Sequence, residues 1–452
     1  MKTTFSHGNS CATDLIAQID AYLKRLFPIT RSITGNGNRE TLRILQEIVP
    51  LQIKEYPSGT KAYDWVIPKE WNIRDAWIKD PQGKKIVDFK RSNLHVVSYS
   101  VPVHKKISLE ELKEHLHYLE KQPDAIPYRT SYYKETWGFC LSYADYQKYF
   151  NQDGQYEVCI DSELKDGSLT IGELIIKGKS SKEFLISTYI CHPSLANDNL
   201  SGMLLTALIG KKLLEQELNY TYRILFVPEN IGAIVYLSKN ENAMKRVFGG
   251  FVVTTVAGPG KYGYKSTYLG NHWIDRIVEK SFNDMGCEYQ IYPFDIHGSD
   301  ECRYSFPFFR IPVGTICKDK YYEYDYYHTS LDDLDFVQPE NVLRSFDVYM
   351  RVLNSVDINV TYESLHPHCE PQLGKRGLYP LCGGHIRQKA ALAKNALPQG
   401  FSNLDLILWL LFYCDGEKNL FEIAEKTALP LLELYRTAEE LCKHTLLKKS
   451  ID

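Results

Sequence analysis

Residues 183–229 read EFLISTYICHPSLANDNLSGMLLTALIGKKLLEQELNYTYRILFVPE, and this stretch decides the fold. It contains two almost continuously apolar segments, EFLISTYI and YRILFV, on either side of the amphipathic segment SGMLLTALIGKKLLEQEL. Apolar strands separated by helices are typical of a sheet whose parallel centre is covered on both faces. The same alternation continues through GAIVYLSKN, GGFVVTTVAG and HWIDRIVEKSF to a helix near residues 339–356. The sequence therefore predicts an α/β domain with a mixed, centrally parallel sheet flanked by helices.

The rest of the chain divides into further domains, because 452 residues exceed what one compact core accommodates. We assign two separate segments, 1–54 and 131–358, to the α/β domain. Between them, 55–130 contains short strand patterns broken by Pro and Gly, such as YDWVIPKEW and NLHVVSYS, and predicts an inserted β-rich domain. Residues 359–402 are rich in Pro, Gly and His and are interpreted as a connector. Three helical patterns in 403–452 predict a C-terminal winged helix.

Composition narrows the class of protein. The 53 basic and 56 acidic side chains nearly cancel, so the net charge of −3 gives no overall field for nucleic acid or an anionic membrane. The 11 cysteines include no CxxC pair and are typical of reduced thiols. The N-terminus has no apolar signal-like segment, and the longest apolar run, LILWLLFY, is too short to span a bilayer. We therefore expect a cytoplasmic protein without a membrane segment.

The C-terminal module does not have the charge of a DNA reader. Residues 401–452 contain nine acidic and six basic side chains, and the third helical pattern, LLELYRTAEELCKH, is acidic on balance. A helix that enters a DNA groove needs a basic surface to release counterions. DNA is therefore an unexpected partner, and we expect the module to pack on the α/β domain, to mediate self-association or to bind a protein.

Polar side chains follow the predicted strands at the sheet edge where α/β proteins bind ligands. His192 and Asp198 come after EFLISTYI, Glu229 follows YRILFV, and His328 lies in YDYYHTSLDDLD before the last helix of the domain. Two imidazoles and a carboxylate, with a further carboxylate nearby, are what a catalytic zinc site requires. On their own, His192 and Asp198 are also compatible with a simple capping pair. His297, beside a glycine, is a competing ligand.

Three motifs resemble a known family. The segments ANDNLSG (196–202), PEN (228–230) and YHTSLDD (327–333) resemble, in order, motifs of the co-catalytic zinc aminopeptidases. Longer segments resemble a bacterial branch of aminopeptidase-like proteins that has an inserted β-domain and a C-terminal winged helix and often occurs with polysaccharide or secondary-metabolite biosynthesis: LFPITRSITGNGNRETL, IPYRTSYYKETWGFC and GSDECRY. The resemblance implies that His192, Asp198 and His328 are zinc ligands and that Glu229 is the general base.

The sequence also departs from this family at two positions. Asn230 stands where the family has a second glutamate after the base, and no acidic residue occurs near Thr255, where the family has a further carboxylate ligand. An amide oxygen or a hydroxyl is a poor zinc ligand and does not balance the charge of a second cation. We therefore expect one Zn²⁺ ion per chain rather than two.

Further residues are candidates for substrate binding. GSDECRY offers a guanidinium fork at Arg303 for a carboxylate, or the side chains of Asp300 and Glu301 for a free amine, and the alternative is a surface turn with an ion pair. We add Asn230, which follows the base. Aromatic residues also cluster in SYYKETWGF, where the candidates for a pocket rim are Tyr132, Tyr133 and Trp137, although core packing explains most of the aromatic residues of the chain.

The resemblance favours a zinc-dependent aminopeptidase-like hydrolase that cleaves an amide bond of a small peptide or of an aminoacyl- or acyl-modified metabolite with metal-activated water. A deacylase or cyclase of a biosynthetic pathway would use the same residues. A catalytically inactive binding scaffold is a third alternative, because two carboxylates of the family are missing. The sequence does not distinguish a monomer from a homo-oligomer.

Overall fold

The computed structural model describes residues 9–378 and 402–450. In chain order its strands are β1 (Gln52–Pro57), β2 (Lys61–Ala62), β3 (Trp65–Val66), β4 (Glu70–Lys79), β5 (Lys85–Asp88), β6 (Val103–Ser108), β7 (Leu116–His117), β8 (Phe139–Cys140), β9 (Gln155–Lys165), β10 (Ser168–Ile176), β11 (Glu183–Tyr189), β12 (Thr221–Val227), β13 (Val247–Val253), β14 (Tyr262–Lys265), β15 (Tyr289–Tyr292), β16 (Val313–Lys318), β17 (Thr361–Ser364), β18 (Asp415–Asn419) and β19 (Leu447–Ser450). Its α-helices are α1 (Asn9–Leu26), α2 (Asn36–Leu45), α3 (Leu109–Lys113), α4 (Tyr143–Tyr149), α5 (Gly202–Leu213), α6 (Ile231–Lys239), α7 (Glu241–Met244), α8 (Trp273–Met285), α9 (Glu301–Tyr304), α10 (Pro339–Asp357), α11 (Asn403–Tyr413), α12 (Leu420–Thr427) and α13 (Leu431–Lys443).

The large sheet has the strand order β1-β10-β12-β11-β13-β16-β14-β15. Its central strands β12, β11, β13 and β16 run parallel, whereas β1, β10 and β14 have antiparallel neighbours. Every residue of β11 and β12 is buried, which explains why these segments are mostly apolar instead of alternating, with the charges of Glu183 and Arg223 paired to each other. The predicted mixed, centrally parallel sheet flanked by helices is confirmed.

Alternate residues of the central strands pack into two separate cores. On one face, Ile186 and Phe226 pack with residues of α1, α2, α5, α8 and α10. On the other face, Leu185 and Leu225 pack with residues of α6 and α9. The two helical layers leave the carboxyl ends of the parallel strands to the loops that follow them. Among the helices of the described ranges, none combines the length and the apolar character needed to cross a bilayer.

The insert is larger than the sequence indicates. Its four-stranded antiparallel sheet has the order β5-β4-β9-β6, and β9 pairs with β4 along nearly its whole length. The predicted segment 55–130 therefore misses β9 and includes the end of β1, which belongs to the large sheet. The reason is that β9 buries only alternate residues, a weak local pattern, and its partner strand lies far away in the chain. We place the insert between the end of β1 and the start of β10.

The C-terminal module is a winged helix formed by α11, α12 and α13 and a small sheet of order β18-β17-β19. Strand β17 comes from the segment 359–402 that we predicted as a connector, so this part of the prediction is wrong. The pairing partners of β17 lie more than 50 residues further along the chain, which hides the strand from local patterns. The remainder of that segment, 379–401, lies outside the described residues.

The winged helix packs against the α/β domain through a polar junction and two aromatic residues. Asp357, the last residue of α10, accepts hydrogen bonds from the backbone of Asn219 at 3.1 Å and of Tyr220 at 3.2 Å. The Asn219 side chain in turn contacts Tyr435 of α13, at 3.2 Å. Phe421 of α12 belongs to the α/β core, and Tyr220 belongs to the core of the winged helix.

Candidate metal centre and active site

Two loops at the carboxyl ends of the parallel strands bring His192, Asp198 and His328 together. His192 follows β11, and Asp198 lies in the irregular turn Ala196–Ser201 that leads into α5. The peptide bond after Asp198 is cis. His328 lies in the loop between β16 and α10. The position of all three follows from the sheet, since parallel strands end at one edge.

The ligand-capable atoms of these residues lie close together. Asp198 Oδ2 is 3.0 Å from His328 Nε2 and 4.0 Å from His192 Nε2. Within the described part of the chain, Asp198 Oδ2 and His328 Nε2 have no hydrogen-bond partner, although both atoms are buried. Ligand atoms on a tetrahedral zinc ion lie about 3.3 Å apart, so these separations fit such an ion. Unpaired buried polar atoms cost free energy, and a cation between them would remove that cost.

The charge states suit a cation as well. Burial lowers the pKa of His192 to about 4, so its imidazole is neutral at physiological pH. Burial raises the pKa of Asp198, but the neighbouring imidazoles of His192 and His328 and the Tyr189 hydroxyl lower it more, and the result is about 2. A neutral imidazole and an ionised carboxylate are the forms that bind metals.

Asp332 supports the Asp198 loop, and our sequence analysis did not assign it a role. Its carboxylate accepts the backbone N–H groups of Asn197 at 2.6 Å and of Asp198 at 3.0 Å. The hydroxyl of Tyr324 also donates to it, at 3.0 Å. Burial raises the pKa of Asp332 to about 7. The acidic run in YHTSLDD was the available signal.

Glu229 lies directly after β12, across Pro228, and is partly buried. Burial raises its pKa well above the usual value, and the nearby carboxylates of Asp300 and Asp198 raise it further. Its backbone N–H donates to Cys191 Sγ at 3.3 Å, and the same sulfur lies 3.4 Å from His192 Nδ1. Cys191, also missed by the sequence analysis, thus connects the proposed base with a proposed ligand.

Asn230 and Thr255, which stand where the zinc aminopeptidases have carboxylate ligands, form other contacts. Asn230 adopts a φ of 60°, its N–H donates to Asp300 Oδ1 at 2.7 Å, and its Oδ1 accepts from Arg303 Nε at 2.9 Å. Thr255 is buried, and its carbonyl accepts the N–H of Lys318. Neither side chain replaces the missing carboxylate.

In the GSDECR loop, Asp300 belongs to the site, whereas Glu301 stabilises the loop. Burial raises the pKa of Asp300 to about 7, and in the described residues its Oδ2 has no hydrogen-bond partner. Glu301 is fully buried and accepts from Lys265 Nζ and from the Tyr321 hydroxyl, both at 2.7 Å. The expected ion pair therefore exists but is formed with Lys265 and not with Arg303.

The aromatic candidates and His297 have different locations. Tyr132 lies near the site, with its hydroxyl 3.0 Å from that of Tyr128. Tyr133 is 54% exposed and contacts Trp65, whereas Trp137 stacks on His115 in the insert. Among the described residues, the ring of Trp137 contacts those of His115 and Phe139, and its place at a pocket rim stays a prediction. In the described residues, two groups of side chains lie close enough to share a metal ion, His192 with Asp198 and His328, and His192 with Cys191 and Glu229, and exposed His297 belongs to neither.

Two further residues contact the histidines. The ring of Tyr128, in the insert, lies 5.1 Å from that of His192 and 5.2 Å from that of His328. Buried Arg31 donates from Nε to the carbonyl of His192 at 2.7 Å. Both residues lie in segments that carry the family resemblance, but nothing in their local pattern indicates these contacts.

Comparisons with known proteins agree with this architecture. A family described as a domain of unknown function (DUF4910) matches residues 20–359, and a winged helix-turn-helix family matches residues 360–449. A Clostridium acetobutylicum protein named "Putative polysaccharide biosynthesis protein with aminopeptidase-like domain" is 44% identical over 426 residues, which cover 94% of this chain and 95% of that protein.

Solved structures show the same fold. A crystal structure titled "putative peptidase" from Clostridium acetobutylicum is 42% identical, covers 97% of each chain and has a TM-score of 0.83. A zinc aminopeptidase from Bacillus subtilis is 12% identical, covers 76% of this chain and 95% of its own, and has a TM-score of 0.56. The chain belongs to the DUF4910 family, with the fold of the zinc aminopeptidases and a C-terminal winged helix-turn-helix module.

Proposed function

We propose that the protein is a zinc-dependent hydrolase that cleaves an amide bond of a small peptide or of an aminoacyl- or acyl-modified metabolite. The observation that carries this proposal is a pair of buried atoms, Asp198 Oδ2 and His328 Nε2, which lie 3.0 Å apart and have no hydrogen-bond partner among the described residues. A cation between them would satisfy both. The names of the similar proteins, a zinc aminopeptidase and a polysaccharide biosynthesis protein with an aminopeptidase-like domain, are consistent with this class of reaction.

His192, Asp198 and His328 would hold one zinc ion. When bound, zinc supplies Lewis-acid chemistry and lowers the pKa of a water molecule to about 7. A single ion is supported by Asn230, whose side-chain oxygen already accepts a hydrogen bond from Arg303 instead of being free to bind a second ion.

Glu229 would act as the general base. It would take a proton from the attacking water and pass it to the nitrogen of the leaving amine. Burial and the charge of Asp300 raise its pKa, so the carboxyl group holds and releases a proton closer to neutral pH than an exposed glutamate does. Cys191 would hold the Glu229 backbone in place by accepting its N–H.

The substrate contacts would come from the loops around the base. Asp300 Oδ2 is an unpaired buried acceptor that suits a free amine of the substrate. Asn230 and Arg303 would line the same side, and Tyr132 and exposed Tyr133 would contribute to the rim. Glu301 would act indirectly, because its contacts with Lys265 and Tyr321 hold the loop that carries Asp300.

The winged helix would bind a protein partner or a second copy and not DNA. Its helix α13 uses Tyr435 to contact Asn219 of the α/β domain, so part of the surface that reads DNA in such modules is occupied. We also propose a cytoplasmic location, which is supported by free cysteines such as Cys140, Cys191 and Cys317.

The test combines metal analysis with a substrate panel. Purified protein should contain about one zinc ion and should hydrolyse some members of a panel of aminoacyl amides and N-acylated sugars. In Glu229→Gln, zinc should remain bound while kcat falls by about 10²- to 10⁴-fold, because an amide does not accept the proton. The control is Glu215→Gln, which changes an exposed glutamate paired with Lys212 and should leave kcat unchanged.

Two results would contradict the proposal. An active Glu229→Gln enzyme with zinc bound would exclude Glu229 as the base. Wild-type protein that binds zinc but cleaves no member of the panel would favour the inactive scaffold, an alternative that the missing carboxylates at Asn230 and Thr255 support.

A further inference from the structure

We propose that the β-rich insert is part of the metal centre, with Tyr128 as a positioning residue that holds His192 and His328 in their ligand geometry. The inference rests on the proposed function in one respect only, which is that these histidines bind a metal. It adds a role for a domain that is separate from the α/β sheet.

The backbone of the insert fastens the loop that carries His328. Tyr128 donates its N–H to the carbonyl of His328 at 2.7 Å, and Ser330 donates its N–H to the carbonyl of Ile126 at 2.9 Å. Ile126 donates its own N–H to Ser330 Oγ at 3.0 Å, and Pro127 pairs with Thr329 as an antiparallel bridge. Segment 126–128 and segment 328–330 thus form a short two-stranded clamp.

The backbone conformation of His328 is one that its surroundings help to hold. Its φ is 57°, in the left-handed region that few residues other than glycine adopt. Its side chain is also 35% exposed, so burial alone does not fix it. The hydrogen bond from Tyr128 to the His328 carbonyl acts on the backbone of this residue directly.

The Tyr128 side chain fixes both imidazoles from one side. Its ring is tilted by 52° against that of His192 and meets the ring of His328 edge-on at 89°. Tyr128 is 7% exposed, and its hydroxyl bonds to Tyr132, so the ring itself has little freedom. A ring that packs on two ligands limits how far either can rotate away from the metal position.

A hydrogen-bond chain links this clamp to the support of His192. Arg31 holds the His192 carbonyl, and the next residue, Ser32, bonds to Ser98 of the insert at 2.8 Å. The N–H of Ser98 donates to the carbonyl of Arg129, beside Tyr128, at 2.8 Å. The carbonyl groups of both ligand histidines are therefore held by one connected structure that includes the insert.

The test measures zinc affinity by competition with a chelator, without substrate. Residues that support metal ligands change affinity by about 10- to 100-fold when mutated, so Tyr128→Ala should raise the zinc Kd by that factor. Tyr128→Phe keeps the ring and should change the Kd by less than about 3-fold. The visible spectrum of the cobalt-substituted protein should shift in Tyr128→Ala and not in Tyr128→Phe, because it reports the ligand geometry.

Tyr118→Ala is the matched control, because Tyr118 stacks on Tyr146 within the same insert. If Tyr128→Ala does not fold, Ser330→Ala removes one bond of the clamp and should raise the Kd by about 2- to 10-fold. An unchanged Kd in folded Tyr128→Ala, or an equal rise in Tyr118→Ala, would overturn the proposal and leave the proposed function standing. Wild-type protein that binds no zinc would overturn both.

Discussion

The site has two halves at the same edge of the sheet: a ligand half, which includes His192 and Asp198, and a base half, which includes Glu229 and Asp300. The pKa values of these four side chains are shifted in opposite directions in the two halves. In the ligand half, the pKa values of His192 and Asp198 are lowered, to about 4 and about 2, so these groups present bare donor atoms. In the base half, burial instead raises the pKa values of Glu229 and Asp300. The difference supports the proposal that one half binds a cation and the other transfers a proton, although burial acts on both.

The largest effect is expected for Asp198→Asn, which removes the charge from the ligand half and keeps its shape. The Asp198 Oδ1 that accepts from Tyr189 would persist as an amide oxygen, so the loop should stay folded. Zinc affinity should fall by more than about 100-fold, because a direct ligand matters more than its supporting residues. Chelator competition measures this fall, and Glu229→Gln is the matched control that should bind zinc normally. An equal fall in zinc affinity in both variants would contradict the distinction between the ligand half and the base half.

A smaller effect is expected on the stability of the metal-free protein in acid. His192 has a folded pKa of about 4 against 6.5 for an ordinary histidine, so the unfolded chain binds more protons between these pH values. Stability should therefore be lost as the pH falls from about 6.5 to about 4, by about 3 kcal/mol for this group. Denaturant titrations of wild type and His192→Gln over this range measure the difference. An equally steep loss in His192→Gln would assign the effect to other groups.

The smallest effect is expected for Asn230→Glu, which adds to the base half the carboxylate that the resemblance to zinc aminopeptidases implies. Zinc analysis should then show a second, weaker equivalent, since a carboxylate is a better ligand than an amide. The φ of 60° at this position should cost the variant about 1 kcal/mol of stability. The exposed Asn242→Glu serves as the control for added charge. A ratio that stays at one zinc per chain would show that position 230 does not limit the metal count.

The fold could be predicted from the sequence because the strands β11 and β12 are mostly apolar and are separated by a helix, a pattern typical of parallel strands covered on both faces. The sequence also indicated which strand ends carry His192 and Glu229. It could not indicate Tyr128, because this residue acts through a contact with His328, 200 positions away, and for Asp332 the only signal was its place in the acidic run of YHTSLDD. The end of the insert was predicted at the wrong position for a similar reason. Its strand β9 pairs with β4, and most residues of that domain lie between these two strands in the sequence.

One aromatic side chain of each module packs in the core of the other module, and this packing affects how the chain unfolds. Phe421 is 2% exposed in the α/β core, and Tyr220 is 9% exposed in the core of the winged helix. Neither core is complete without a residue from the other side. The two modules should therefore lose their structure in one cooperative transition, even though separate sequence families describe them.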